Sequence, residues 1–510
     1  MISRSPEAPA ERHDRVRVEP DGAISGWPIA GLESLLPLAV VIAASAIVLL
    51  SITFKVQNLN LADLFEGWDL AMPMRWIHAR SDSSWLTGFP QTTFAYPPQF
   101  PWIVKALGGL FPDLHPLLLG RLVSCFAGAG ALVLIVLAVL RERRTVIDAW
   151  LAGLVFLTAP LVSQFWWQAR VDPLGVFWTI AAYSAATLPQ GPLLSAACIV
   201  AGSLAKQTVA FHALPLGLWF LWTSPRPFKR FWLFMAAGTV LALAAWLPIL
   251  TADRGYFWPA SVLFHTAKRT RPFYAYVIIY RYLPSAFMLA ALATATRAVL
   301  TRPLTRLLGD RWWLGFTFAV VTDSLLLVKD GSYAHYALTA VAFGAILIGC
   351  YAREMIGTSK RAAPYCLAMF SIVAAFPMFM GLRGQDWRPF PSTRQPAVDA
   401  LLATAPRPVL VLGDGNAIPF LLGPQATLMV ADSFALKVMA EANRIDLSPL
   451  LAAIREGRIE FVLLDRTIEA HQALVGTADQ LWPKPVLDDL AVRYEEAGGV
   501  PGLHVYRPRR

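Results

Sequence analysis

LLLGRLVSCFAGAGALVLIVLAVLRERR, Leu117 to Arg144, is an apolar run closed by a charged Arg-Glu-Arg-Arg tail. About 20 apolar residues on a helix cross the roughly 30 Å hydrocarbon layer of a bilayer, and basic residues beside a span are retained on the cytoplasmic side. Leu117 to Leu140 therefore reads as a transmembrane helix with a cytoplasmic end at Arg141. The same test applied outward gives further spans at Leu35 to Phe54, Ala149 to Trp167, Pro173 to Leu188, Leu193 to Leu204, Val209 to Trp222 and Phe231 to Leu250. Beyond these come Tyr274 to Ala293, Trp312 to Val328, Tyr336 to Tyr351 and Ala363 to Leu382. In the 510-residue chain 56% of residues are hydrophobic and only 15% charged, more apolar surface than a soluble core of this size consumes. The expectation is a polytopic α-helical membrane protein with about 11 transmembrane helices.

The basic loops Arg141 to Arg144, Arg226 to Arg230, Arg297 to Arg311 and Arg353 to Arg361 alternate as an inside N-terminus requires. Residues 1–34, with Arg12, Asp14, Arg15 and Arg17, read as a disordered cytoplasmic tail, and the first helix reads as a retained span. The net charge of +10 is then mostly a topology signal, and no nucleic-acid partner is expected, because no basic run is interleaved with aromatics on a soluble surface. Cys125, Cys198, Cys350 and Cys366 all fall within spans and read as packing residues.

Between the first two spans lies a long outer segment, 55–116, whose Trp68, Trp76, Trp85, Phe94, Tyr96 and Trp102 suggest helices lying in the interface. Residues 35–382 form the membrane part. At Arg383-Gly384-Gln385-Asp386 the composition turns soluble, and 383–510 reads as a small C-terminal α/β domain on the extracytoplasmic side. Its strand-like runs are Val409 to Leu412, Thr427 to Val430, Phe461 to Leu464 and Leu503 to Tyr506. Gly413-Asp414-Gly415 lacks the third glycine of a dinucleotide loop.

The unusual polar residues fall on the predicted outer side: Glu66 and Asp69, Arg170 and Asp172, Lys206-Gln207-Thr208, Lys268-Arg269 with Arg271, and Lys329-Asp330. Cations there run against the orientation rule, so an anionic ligand at the outer interface is expected, and a lipid phosphate fits. Structural readings stand beside this one. Arg170 and Asp172 also read as a helix cap, Lys206 as a snorkelling side chain, Lys268 to Arg271 as a solvated run, and His335 and Tyr336 as interface anchors. Asp323, inside a span, should face protein or water.

In sequence order, Glu66-Gly67-Trp68-Asp69, Tyr96-Pro97-Pro98, Gly120-Arg121-Leu122, Ala169-Arg170-Val171-Asp172, Ala205-Lys206-Gln207-Thr208 and Lys329-Asp330-Gly331-Ser332 resemble the GT-C superfamily of polytopic glycosyltransferases. Its relatives include the protein O-mannosyltransferases and the aminoarabinose transferases of lipid A. The resemblance implies transfer of a sugar from a polyprenyl-phosphate-linked donor to a glycan, lipid or protein acceptor, with an acid of the first outer loop, Glu66 or Asp69, as catalytic base. It implies substrate binding by Tyr96, Arg170, Asp172, Lys206, Gln207, Lys268, Arg269, Lys329, His335 and Tyr336. No cofactor and no metal cage are expected, with dependence on a divalent cation left open. A carboxylate to take the acceptor proton and cations to receive the leaving phosphate suffice for the chemistry. The expected location is the bacterial cytoplasmic (inner) membrane. The other readings are a transporter or flippase of lipid-linked glycans and a non-catalytic assembly protein.

Overall fold

In the computed structural model, the described residues are 35–57, 96–143, 145–223, 226–252, 266, 268, 286–329, 334–356, 376, 395–405, 409–413, 426–430, 432–477, 480–500 and 503–509. Apart from residue 376, the expected span Ala363 to Leu382 lies outside them, as does most of Tyr274 to Ala293.

Helix Pro116–Arg143 is the axis of the membrane part. With Pro227–Thr251 it is one of two described helices long and apolar enough to cross a bilayer. Its buried residues are small where neighbours cross, and Gly128 sits so close to the Trp166 indole that a Cβ would stand 2.5 Å from it. Helices Val146–Thr158, Asp172–Ala185 and Leu338–Ile356 pack around it over one apolar core that runs from Val48 to Cys350. Outside that core, Phe126, Phe228, Trp232, Val240, Leu243 and Leu300 expose apolar side chains, the pattern of helices whose outer solvent is lipid.

Arg121, fully buried, ties the first helix to this axis. Its Nη1 donates to the carbonyls of Lys55 (3.0 Å) and Val56 (3.2 Å), the open C-terminal carbonyls of Leu35–Gln57, and its guanidinium lies over the Trp167 ring.

Three expected spans are reshaped. Ala149 to Trp167 breaks at Ala159-Pro160 into Val146–Thr158 and Pro160–Phe165, because proline cannot continue the hydrogen-bond ladder yet opens a new helix well. Val209 to Trp222 begins as a 3-10 segment, Gln207–His212, before helix Ala213–Thr223. Tyr336 to Tyr351 likewise starts with the 3-10 turn Ala334–Ala337.

The C-terminal part is a five-stranded sheet in the order β2-β1-β3-β5-β4. Its strands are β1 (Val409–Gly413), β2 (Ala426–Leu428), β3 (Phe461–Leu464), β4 (Tyr494–Val500) and β5 (Leu503–Pro508). β1 pairs in parallel with β2 and β3, and β5 pairs antiparallel with β3 and β4. One apolar cluster covers each face. Leu412, Val462 and Leu464 face the first, with Leu450, Ile454 and Trp482, and Val411, Phe461 and Leu463 face the other, with Val398 and Leu402.

Candidate functional site

Chain breaks build the site. Helix Gly191–Ala205 stops at Lys206, whose extended backbone (φ −146°, ψ 119°) turns the chain out of the helix and into the 3-10 segment. Gly202 and Gly175 let that turn lie close: a Cβ at Gly202 would stand 2.6 Å from Val209, and one at Gly175 would stand 3.3 Å from the Lys206 Cβ. Arg170 precedes helix Asp172–Ala185, and its backbone is pinned from both sides by one hydroxyl. Ser124 Oγ accepts from Arg170 N (3.0 Å) and donates to Arg170 O (2.9 Å).

Asp172 is the centre. Its two carboxylate oxygens are divided between two cations, Oδ1 accepting from Lys206 Nζ at 2.6 Å and Oδ2 from Arg170 Nε at 3.2 Å. Arg170 Nη2 also lies 3.1 Å from His335 Nδ1, and the Lys206 ammonium stands 4.3 Å from the centre of the Tyr336 ring. Asp172, Arg170 and His335 are each 2% exposed or less. Ion pairs are rarely buried this deeply, since removing charges from water costs several kcal/mol per ion and is recovered only through close partners.

Beneath the cluster lies a small cavity reached by Asp172, Lys206, His335, Thr179, Thr208 and Asp323. Asp323 comes from helix Arg311–Leu327 and is 8% exposed, with Oδ2 lacking a hydrogen-bond partner, so it faces protein as its position in a span demanded. His212 lines the same cavity and lies 3.3 Å, by Nδ1, from the Tyr183 hydroxyl. Neither His212 nor Tyr183 was singled out from the sequence. A lone histidine in an apolar run carries no spacing that would mark it.

Of the residues expected to act together, Arg170, Asp172, Lys206, His335 and Tyr336 converge, across 166 sequence positions. The solvated-run reading of Lys268 is corrected by its burial, at 9% exposure, and its charge acts on His335. Tyr96 packs at the edge of a neighbouring apolar cluster. Gln207 opens the 3-10 segment, and Lys329 follows helix Arg311–Leu327 half-buried; neither is among the residues lining the cavity. Glu66, Asp69 and Arg269 lie outside the described residues. Among the described residues, no group of three or more His, Cys, Asp or Glu side chains is placed to hold a metal ion.

No protein-family model and no curated protein matches the sequence. Solved structures do match by shape. ArnT from Cupriavidus metallidurans bound to undecaprenyl phosphate superposes with a TM-score of 0.61 over 93% of this chain and 98% of that one, at 15% identity. The apo form of the same protein gives 0.61 over 92% and 98%, also at 15% identity. The archaeal oligosaccharyltransferase AglB from Archaeoglobus fulgidus, in complex with an inhibitory peptide and a dolichol-phosphate, gives 0.53 over 93% of this chain and 74% of that one, at 12% identity. At such identities the likeness is one of architecture, and it extends over nearly the whole chain: the protein has the GT-C fold.

Proposed function

We propose that this protein transfers a sugar from a polyprenyl-phosphate-linked donor to an acceptor on the extracytoplasmic face of a bacterial inner membrane. The observation that carries this reading is the buried pair of cations, Arg170 and Lys206, on the single carboxylate of Asp172. Two cations on one carboxylate leave this trio net positive, an environment that favours an anion. The fold likeness supports the choice of anion, since ArnT is bound to undecaprenyl phosphate and AglB to a dolichol-phosphate. In the reaction, Arg170 and Lys206 receive the charge that develops on the departing lipid phosphate, so no general acid is required on that side. The acceptor hydroxyl is deprotonated by Glu66 or Asp69. The acceptor is a glycan, a lipid or a protein.

Binding of undecaprenyl phosphate to the purified protein tests the reading. The parental protein is expected to bind it, and Lys206→Gln is expected to weaken binding by roughly 10- to 150-fold, the worth of one hydrogen bond to a charged group. Parental-level binding by Lys206→Gln removes the phosphate assignment. Movement of a lipid-linked sugar between leaflets without sugar transfer replaces it with the transporter reading.

The same proposal places the C-terminal α/β part outside the cytoplasm. A reporter that is active only in the cytoplasm, fused after Arg510, is expected to be silent, and an active fusion contradicts the topology.

A further inference from the structure

Helix Ser433–Glu441 is buried on both sides. Leu436 enters the cluster that fills one face of the sheet, with Leu412, Val462 and Leu464. Phe434, Ala435, Val438 and Met439 enter a different cluster, and its other members belong to the membrane part: Ala169, Val171 and Ala205 among them, all fully buried. Ala169 and Val171 are the residues on either side of Arg170, and Ala205 is the residue before Lys206. The soluble part thus shares one apolar cluster with the residues that flank the two cations of the candidate site.

The start of this helix adds a buried charge. Asp432 caps it, Oδ1 accepting from Ala435 N at 2.7 Å, and is itself only 6% exposed. Burial pushes its carboxyl up to about 7, against the pull of the Ala435 amide and of the Lys268 ammonium. Serine, threonine or asparagine caps a helix as well without burying a charge. The carboxylate is therefore retained at a cost, and the buried cation that acts on it is Lys268, the one that also acts on His335.

Residues at helix ends are where local opening is easiest, and a binding group is useful only when held to within about 0.5 Å of its working position. Arg170 and Lys206 both sit at helix ends. We propose that helix Ser433–Glu441 is a positioning element of the phosphate site: its apolar face braces the backbone beside Arg170 and Lys206, and its buried cap Asp432 is a counter-charge to the buried Lys268. The C-terminal part is then a working part of the transferase and not an appendage. This rests on the lipid-phosphate reading above.

Three full-length variants test it, each assayed for undecaprenyl phosphate affinity and for its unfolding midpoint. Val438→Ala combined with Met439→Ala loosens the face toward the membrane part. Leu450→Ala opens a cavity in the sheet's own cluster, away from that face, and controls for general loss of stability. Asp432→Asn keeps the cap and removes the charge, and it carries the test should the double variant fail to fold. The double variant and Asp432→Asn are each expected to weaken binding by about tenfold or more, equivalent to about 1.4 kcal/mol, while Leu450→Ala lowers the midpoint and leaves affinity at the parental value. Parental affinity in Asp432→Asn or in a folded double variant, or an equal loss in Leu450→Ala, overturns the brace. A parental protein that does not bind the lipid at all overturns the phosphate reading and the brace together, so the two failures are told apart by the unmutated protein.

Discussion

Replacing Asp172 with asparagine is expected to destabilise the protein by about 3–5 kcal/mol, the cost of breaking a buried ion pair from one side. The change keeps the shape and one acceptor oxygen and removes the charge. Lys206 Nζ and Arg170 Nε then face a neutral amide in a site where the carboxylate is 2% exposed. His335, 4.0 Å from the carboxylate, cannot replace it as a counter-charge. The unfolding midpoint of the purified variant in detergent checks this, and a midpoint equal to the parental one would mean that the two cations are neutralised elsewhere. A second measurement isolates the pair. If Lys206 is the main partner, Lys206→Met in the Asp172→Asn background should cost less than Lys206→Met alone, with an interaction energy of about 0.5–3 kcal/mol. Additive losses would assign the stabilisation to Arg170 instead.

The membrane part was legible in the sequence because hydropathy reports length directly. Leu117 to Leu140 became Pro116–Arg143, and Phe231 to Leu250 became Pro227–Ala252. What hydropathy does not carry is where an apolar run bends. Pro160 lies inside an unbroken apolar stretch, and its power to divide the helix comes from a missing amide, not from polarity. In the C-terminal part all four apolar runs read as strands are strands, shifted by a residue or two at the second. The missed strand, β4, has Glu495, Glu496, Gly498 and Gly499, a composition that argues against a strand. It forms by pairing along β5 at the sheet edge, with a bulge between Glu496 and Gly498 that absorbs the glycines. The site was legible as a set of motifs on one predicted side, but its geometry was not. That Asp172 takes Lys206 on one oxygen and Arg170 on the other depends on Gly175 and Gly202 letting two helices close, and neither glycine stands out in a membrane sequence rich in small residues.

The largest catalytic effect is expected at Glu66 or Asp69. Sugar transfer to a hydroxyl needs a base within hydrogen-bond reach, and removing such a base costs roughly 100- to 10,000-fold in rate. Both acids lie outside the described residues, so the case rests on chain connectivity and chemistry. Arg121 grips the carbonyls of Lys55 and Val56 and stacks on Trp167, three residues before Arg170, so the outer segment leaves the membrane part on the side of the cation cluster. Eight residues lie between Gln57 and Glu66, a reach of roughly 30 Å when extended, enough to return over the site. The two acids are three apart, so on a helix they share a face. Glu66 is favoured as the first acid of the family-like run Glu66-Gly67-Trp68-Asp69. Glu66→Gln is expected to lose at least about 100-fold in kcat with undecaprenyl phosphate affinity near the parental value, because the base acts on the acceptor and not on the lipid phosphate. The same split in Asp69→Asn instead would move the role by one helical turn. If both variants transferred sugar at close to the parental rate, neither acid would be the base.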